Sequence, residues 1–124
     1  MSGFFALAIL FLASGQNLLN NPESVVFDAE YNRYLVSNCG DGNIIQVNAI
    51  ETNEKAGPPS PVMELFSTGL NKVLGTHIMG GTLYVASETK VVGFDLGTKA
   101  MVMTVEIAEA QLLNDVASDT NGFL

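Results

Sequence analysis

A carboxylate at Glu23 and an amide at Asn114 hold matching places in this chain. Each stands two residues before an apolar run, Val25 to Asp28 in one case and Val116 to Asp119 in the other. Both offer hard oxygen donors, the kind that calcium and magnesium prefer. A cation held there would polarise a carbonyl or lower the pKa of its water, while a second carboxylate accepted the proton. The plainer alternative for Glu23 is a solvated or turn-capping carboxylate. His77 is the only histidine, so it cannot build a histidine cluster. It reads either as a substrate-contacting or acid–base group, or as a packed, hydrogen-bonded strand residue.

Other polar positions point to structure. Asp115 and Asp119 are expected to bond to nearby backbone and set turns, with Asp28 in the place equivalent to Asp119. An added site role for Asp115 is the lesser alternative. Asn38-Cys39-Gly40-Asp41-Gly42 alternates oxygen donors with glycine but lacks the distant glutamate of an EF-hand, so a hairpin turn is expected. Gly80-Gly81 and Asp119 to Gly122 read as turns as well. Cys39 is the only cysteine, which excludes an internal disulfide. Nothing near it would lower a thiol pKa, so it is expected to be a small, partly buried residue. The chain contains no phosphate loop, nucleotide fingerprint, GxSxG elbow or paired-cysteine metal site, and Thr76 and Ser87 have no adjacent base.

The elements that must position these groups are short strands. From Glu23 onward, runs of Val, Ile, Leu, Phe and Tyr alternate with Gly, Asn and Asp, and no window sustains a helical period. The first unit predicts strands at 25–28, 33–38, 43–50 and 63–67. The second predicts them at 74–79, 83–87, 91–95 and 101–107. YLVSN at 34–38 answers LYVAS at 83–87, and NIIQVN at 43–48 answers KVVGFD at 90–95. LNDVASDTNGFL then opens a third unit, with Val116 to Asp119 answering Val25 to Asp28 at a distance of 91 residues. Two periods of about 45 residues fit that distance, and four short strands at such a period are the pattern of propeller blades. The expected fold is therefore all-β: β-propeller blades of four antiparallel strands, in units of about 23–67, 72–107 and 113–124.

Thirteen acidic residues against five basic ones give a formal charge of -8. A phosphate backbone would be repelled, which excludes nucleic acid as a partner; cations are favoured, although such acidity also simply keeps an exported protein soluble. Phe4 to Ala13 is an apolar run of ten residues followed by Ser14-Gly15. It is too short to cross a membrane as a helix, which needs about twenty residues, and it matches the core of a secretory signal cleaved near residue 15. The alternatives are an uncleaved anchor, through which alone the chain would attach to a membrane, and an ordinary core segment. The expected location is periplasmic or extracellular. Residues 51–61, ETNEKAGPPSP, interrupt the first unit and read as a solvated insertion, with partner contact as the lesser alternative. A chain stopping one or two residues into a strand is expected to be truncated, because two blades and a beginning cannot close a ring.

PESVVFD at 22–28, NRYLVSN at 32–38 and GDGNIIQVN at 40–48 resemble the opening blade of the six-bladed propellers in the SMP-30/gluconolactonase/LRE-like family. LLNDVASDTNGFL at 112–124 is similar to that group's asparagine-bearing blade opening, with Val116 in place of a glycine. The resemblance implies an axial divalent cation, commonly calcium, held by Glu23 and Asn114, with Asn114 also close to bound substrate. It implies hydrolysis of a sugar lactone or small ester, with a principal aspartate acting as base from beyond Leu124. The alternative is a non-catalytic, NHL-like propeller that binds a protein or glycan. An axial aspartate and a further asparagine at later blade openings would separate the two.

Overall fold

The computed structural model describes residues 16–49 and 61–124. The expected signal segment and most of the 51–61 insertion lie outside the described residues. Within the described residues, eight strands form two four-stranded antiparallel sheets, each in simple up-and-down order. The first sheet holds β1 (Pro22–Asp28), β2 (Arg33–Asn38), β3 (Ile44–Asn48) and β4 (Met63–Ser67). The second holds β5 (Thr76–Met79), β6 (Thr82–Ser87), β7 (Lys90–Asp95) and β8 (Met101–Glu106). All eight strands were expected, and the fold is all-β.

Turn chemistry explains why the chain folds back where it does. Gly80 and Gly81 have φ of 59° and 81°, the paired left-handed conformations that suit a two-residue hairpin between β5 and β6. At the β2–β3 turn, Gly42 has φ 74°, and a Cβ there would lie 1.6 Å from the Leu70 carbonyl oxygen. Only glycine lets the turn and the β4–β5 connection approach so closely. Between β7 and β8, the Asp95 carboxylate accepts hydrogen bonds from the Gly97 and Thr98 backbone N–H groups at 2.9 and 2.7 Å. These bonds, the Thr98 backbone bond foremost, hold the Asp95 pKa below the ordinary aspartate value.

The core lies between the sheets. Leu35, Ile44 and Phe66 of the first pack with Leu83, Val85, Val92 and Phe94 of the second, and Leu70, Val73 and Leu96 from the connections join them. Phe66 and Phe94 meet edge-on, with ring centroids 6.1 Å apart. Arg33 is buried within this apolar layer. Its Nε donates to Asp28 Oδ2 at 2.8 Å, Nη1 to Gln46 Oε1 at 2.8 Å, and Nη2 to the Leu96 carbonyl of the second sheet. The guanidinium also lies over the rings of Tyr31 and Phe66, 4.6 and 5.2 Å from their centroids.

The third unit departs from expectation. Residues 116–119 form no strand. A strand is defined by a hydrogen-bonded neighbour, and none runs beside this segment among the described residues. The turn after it is present: Asp119 Oδ1 accepts from Asn121 and Phe123 N–H at 2.8 and 2.9 Å. Backbone donation from Phe123, first among these bonds, lowers the Asp119 pKa.

Two outcomes follow from these contacts. Arg33→Ala leaves Asp28 buried without its counter-charge and is expected to lower unfolding free energy by about 3–5 kcal/mol in urea titration, whereas joint replacement of Arg33 by Met and Asp28 by Leu recovers most of it. Asp95 has a depressed folded-state pKa, so its contribution is present above the unfolded value of about 3.9 and fades as pH falls through the folded one. Asp95→Ala should therefore show a lower urea midpoint than the parent at pH 7, with the gap closing below about pH 4.

Candidate functional site

The pairing register makes the unit-to-unit equivalence concrete. Val25 pairs with Val36 and Thr76 with Val85, and Val36 and Val85 hold the same place in YLVSN and LYVAS. Position 23 of the first unit thus corresponds to Leu74 in the second and Asn114 in the third, and Ser24 corresponds to Gly75 and Asp115. Three successive unit openings meet in space. Glu23, Ser24, Gly75, Asn114 and Asp115 line one cavity of about 120 Å³.

Local backbone features bring these side chains together. Pro22 pairs with Asn38 and Ser24 with Ser37, so Glu23 is the extra residue of a bulge in β1. A bulge re-aims its side chain out of the regular alternation, a device common next to functional sites. Beside it, Ser24 N–H donates to Ser37 Oγ at 3.1 Å, and Ser37 Oγ donates to the Leu74 carbonyl at 2.6 Å. The Ser24 and Thr76 hydroxyls lie 2.9 Å apart and tie β1 to β5. The third opening is attached through backbone bonds: Gly75 N–H donates to the Asn114 carbonyl at 2.9 Å, and Leu113 N–H to the Glu88 carbonyl at 2.7 Å.

Glu23 and Asn114, singled out in the sequence as cation ligands, are brought to one cavity. Asp115, read mainly as a turn residue, makes the expected local bond, with Val116 N–H donating to Oδ1 at 2.8 Å, but it also lines the same cavity. The signal that would have found it is its equivalence to Ser24. The middle opening contributes no donor side chain at the Glu23 place, because Leu74 is buried and apolar. His77 does not line this cavity; its Nε2 lies 2.8 Å from Ser118 Oγ, which matches the hydrogen-bonded strand reading. Cys39 is a free, half-buried thiol, and the Asn38–Gly42 segment is a hairpin turn, with Asn43 N–H donating to Asp41 Oδ1 at 3.0 Å.

The donor chemistry fits a hard divalent cation. Two carboxylates, an amide and a hydroxyl supply oxygen only, and calcium completes a shell of six to eight oxygens with water. Among the described residues, no three His, Cys, Asp or Glu side chains gather into one group, so a cation here would need neutral oxygens as well. No helix among the described residues is long and apolar enough to cross a membrane.

The His77–Ser118 bond ties the third opening to β5. His77→Ala is expected to speed amide hydrogen exchange across residues 116–119 while leaving β6 and β7 unchanged, as mass spectrometry would read directly. No family model matches the chain, and no curated protein or solved structure matches it.

Proposed function

We propose that the two sheets are successive blades of a β-propeller, exported to the periplasm or cell exterior, whose blade openings hold a divalent cation, calcium by preference. We propose further that the cation serves hydrolysis of a sugar lactone or similar small ester. The observation that carries this reading is the convergence of Glu23 and Asn114, 91 residues apart in sequence, on one oxygen-lined cavity. The blade assignment is supported by the outward faces. Val25, Phe27, Tyr34 and Leu65 on the first sheet are 63, 46, 42 and 50% exposed, and Val105 on the second is 45% exposed. The repeat register places Tyr34 and the half-buried Val36 at the positions of Leu83 and Val85, which pack against the first sheet. The exposed face thus repeats a pattern that is core one unit later, as expected where every sheet packs between two others.

Within this reading, Glu23 and Asn114 bind the cation through carboxylate and carbonyl oxygen, and Asn114 stands close to the substrate. A cation held by these residues would supply Lewis-acid polarisation of the lactone carbonyl. Water attack needs a carboxylate base, and a later blade opening is the place for it. The second reading, an NHL-like module that binds protein or glycan, is favoured by Leu74, because an apolar residue at the middle opening leaves the ring of donors incomplete.

Calorimetric titration of the protein with calcium chloride tests the cation. Combined Glu23→Gln and Asn114→Leu replacement should weaken binding by about tenfold or more, the scale on which metal sites feel the loss of a partner. Unchanged affinity would remove the pairing. Hydrolysis of a sugar lactone that is lost with chelator and restored by calcium supports the enzyme; calcium binding with no ester or lactone turnover supports the binding module.

A further inference from the structure

We infer that Asp115 is a second carboxylate ligand of the same cation, and that Gly75 is glycine in order to seat it. The inference rests on the cation reading above and adds a residue that the family resemblance does not supply.

Gly75 lies on the chain just before β5 and is buried. It is absent from the glycines with positive φ, so its backbone does not demand glycine. Its surroundings do. A Cβ at Gly75 would lie 2.0 Å from Asp115 Oδ1, 2.5 Å from Asp115 Cα and 2.7 Å from Asp115 Cγ. These separations are far inside contact distance, so any side chain at 75 would displace Asp115, main chain and carboxylate together. The space that the equivalent residue Ser24 fills with its own side chain is filled here by a carboxylate from the next unit.

The seat places charge where it is useful. Asp115 Oδ1 accepts from Val116 N–H at 2.8 Å, and among the described residues no such bond engages its other oxygen, Oδ2. Glu23 arrives at the same cavity from the bulge in β1, and Asn114 from the residue before Asp115. Two carboxylates neutralise a divalent cation, whereas Glu23 alone leaves half its charge unmatched. The main chain holds the assembly from behind, through the Gly75 N–H bond to the Asn114 carbonyl. Asp115 is thus a ligand, and Gly75 is a positioning residue that acts through it.

Calcium titration by calorimetry, paralleled by terbium luminescence, separates this inference from the reading it rests on. Asp115→Asn keeps the shape and the Val116 bond but removes the charge. Gly75→Ala keeps the charge but displaces it. Both should weaken binding by about tenfold or more, with unchanged far-ultraviolet circular dichroism, while Asp119→Asn, a turn acid outside the cavity, binds like the parent. If Glu23→Gln weakens binding but Asp115→Asn does not, the Asp115 inference is overturned and the cation reading stands. If the parent protein binds neither calcium nor terbium, both are overturned. Should Gly75→Ala fail to fold, the isosteric Asp115→Asn variant still decides the matter.

Discussion

A guanidinium removed from water must have its donors met, and the burial of Arg33 imposes that demand on both sheets at once. Asp28 closes the β1–β2 turn, Gln46 belongs to β3, and the Leu96 carbonyl begins the β7–β8 turn of the second sheet. A change in the angle between the sheets would break the Leu96 bond and strand a charge in an apolar layer. Hydrophobic contacts alone would tolerate sliding, because they lack direction. The Arg33–Leu96 bond supplies direction, and the guanidinium lies against the Tyr31 and Phe66 rings.

The same rigidity determines whether the openings can form a site. Arg33 fixes one end of the sheet pair, while the Ser24–Thr76 and Ser37–Leu74 bonds fix the other. Glu23 and Gly75 adjoin the second clamp, which holds Ser24 and Leu74 together through Ser37. The third opening adds its own backbone bonds to Gly75 and Glu88. Oxygens contributed by segments remote in sequence therefore converge without a long loop, and preorganisation of that kind is what a cation site requires.

Strand positions were legible because period-two alternation and Gly, Asn and Asp punctuation are local signals. The repeat was legible because YLVSN and LYVAS occupy the same place in their units. The convergence of Glu23 and Asn114 could be read from that repeat alone. Three features could not. The bulge at Glu23 emerges only when β1 pairs with β2. The burial of Arg33 reverses the usual preference of arginine for solvent, and its third partner is a carbonyl 63 residues away. The seat at Gly75 depends on a close approach between two units, which no spacing within either unit reveals. Val116 to Asp119 was misread for the opposite reason. Its local pattern suits a strand, but a strand also needs a neighbour.

A shared defect and a shared design run through the two complete units. Asn38 Oδ1 and Ser87 Oγ occupy equivalent positions at the ends of β2 and β6, and both are buried without a hydrogen-bond partner among the described residues. Asn38 partly resolves the problem by donating through Nδ2 to the Leu18 carbonyl, whereas the shorter Ser87 has no second polar group to offer. Asn38 pairs with Pro22 at the start of β1, and the carbonyl of Ala86, next to Ser87, accepts from Leu74 N–H just before β5. What holds the connecting backbone against these strand ends is main-chain bonding: Cys39 and Gly40 N–H donate to the Asn21 and Asn20 carbonyls, and Leu113 N–H donates to the Glu88 carbonyl. Those bonds, with the Gly75 N–H bond to the Asn114 carbonyl, bring Glu23, Gly75, Asn114 and Asp115 to one cavity. The cost of an unsatisfied hydroxyl, about 1–3 kcal/mol, is small beside the core that sustains it. On this view the polar ends of β2 and β6 and the oxygen-lined cavity are two sides of one requirement: the units must meet at their openings, not only across their faces.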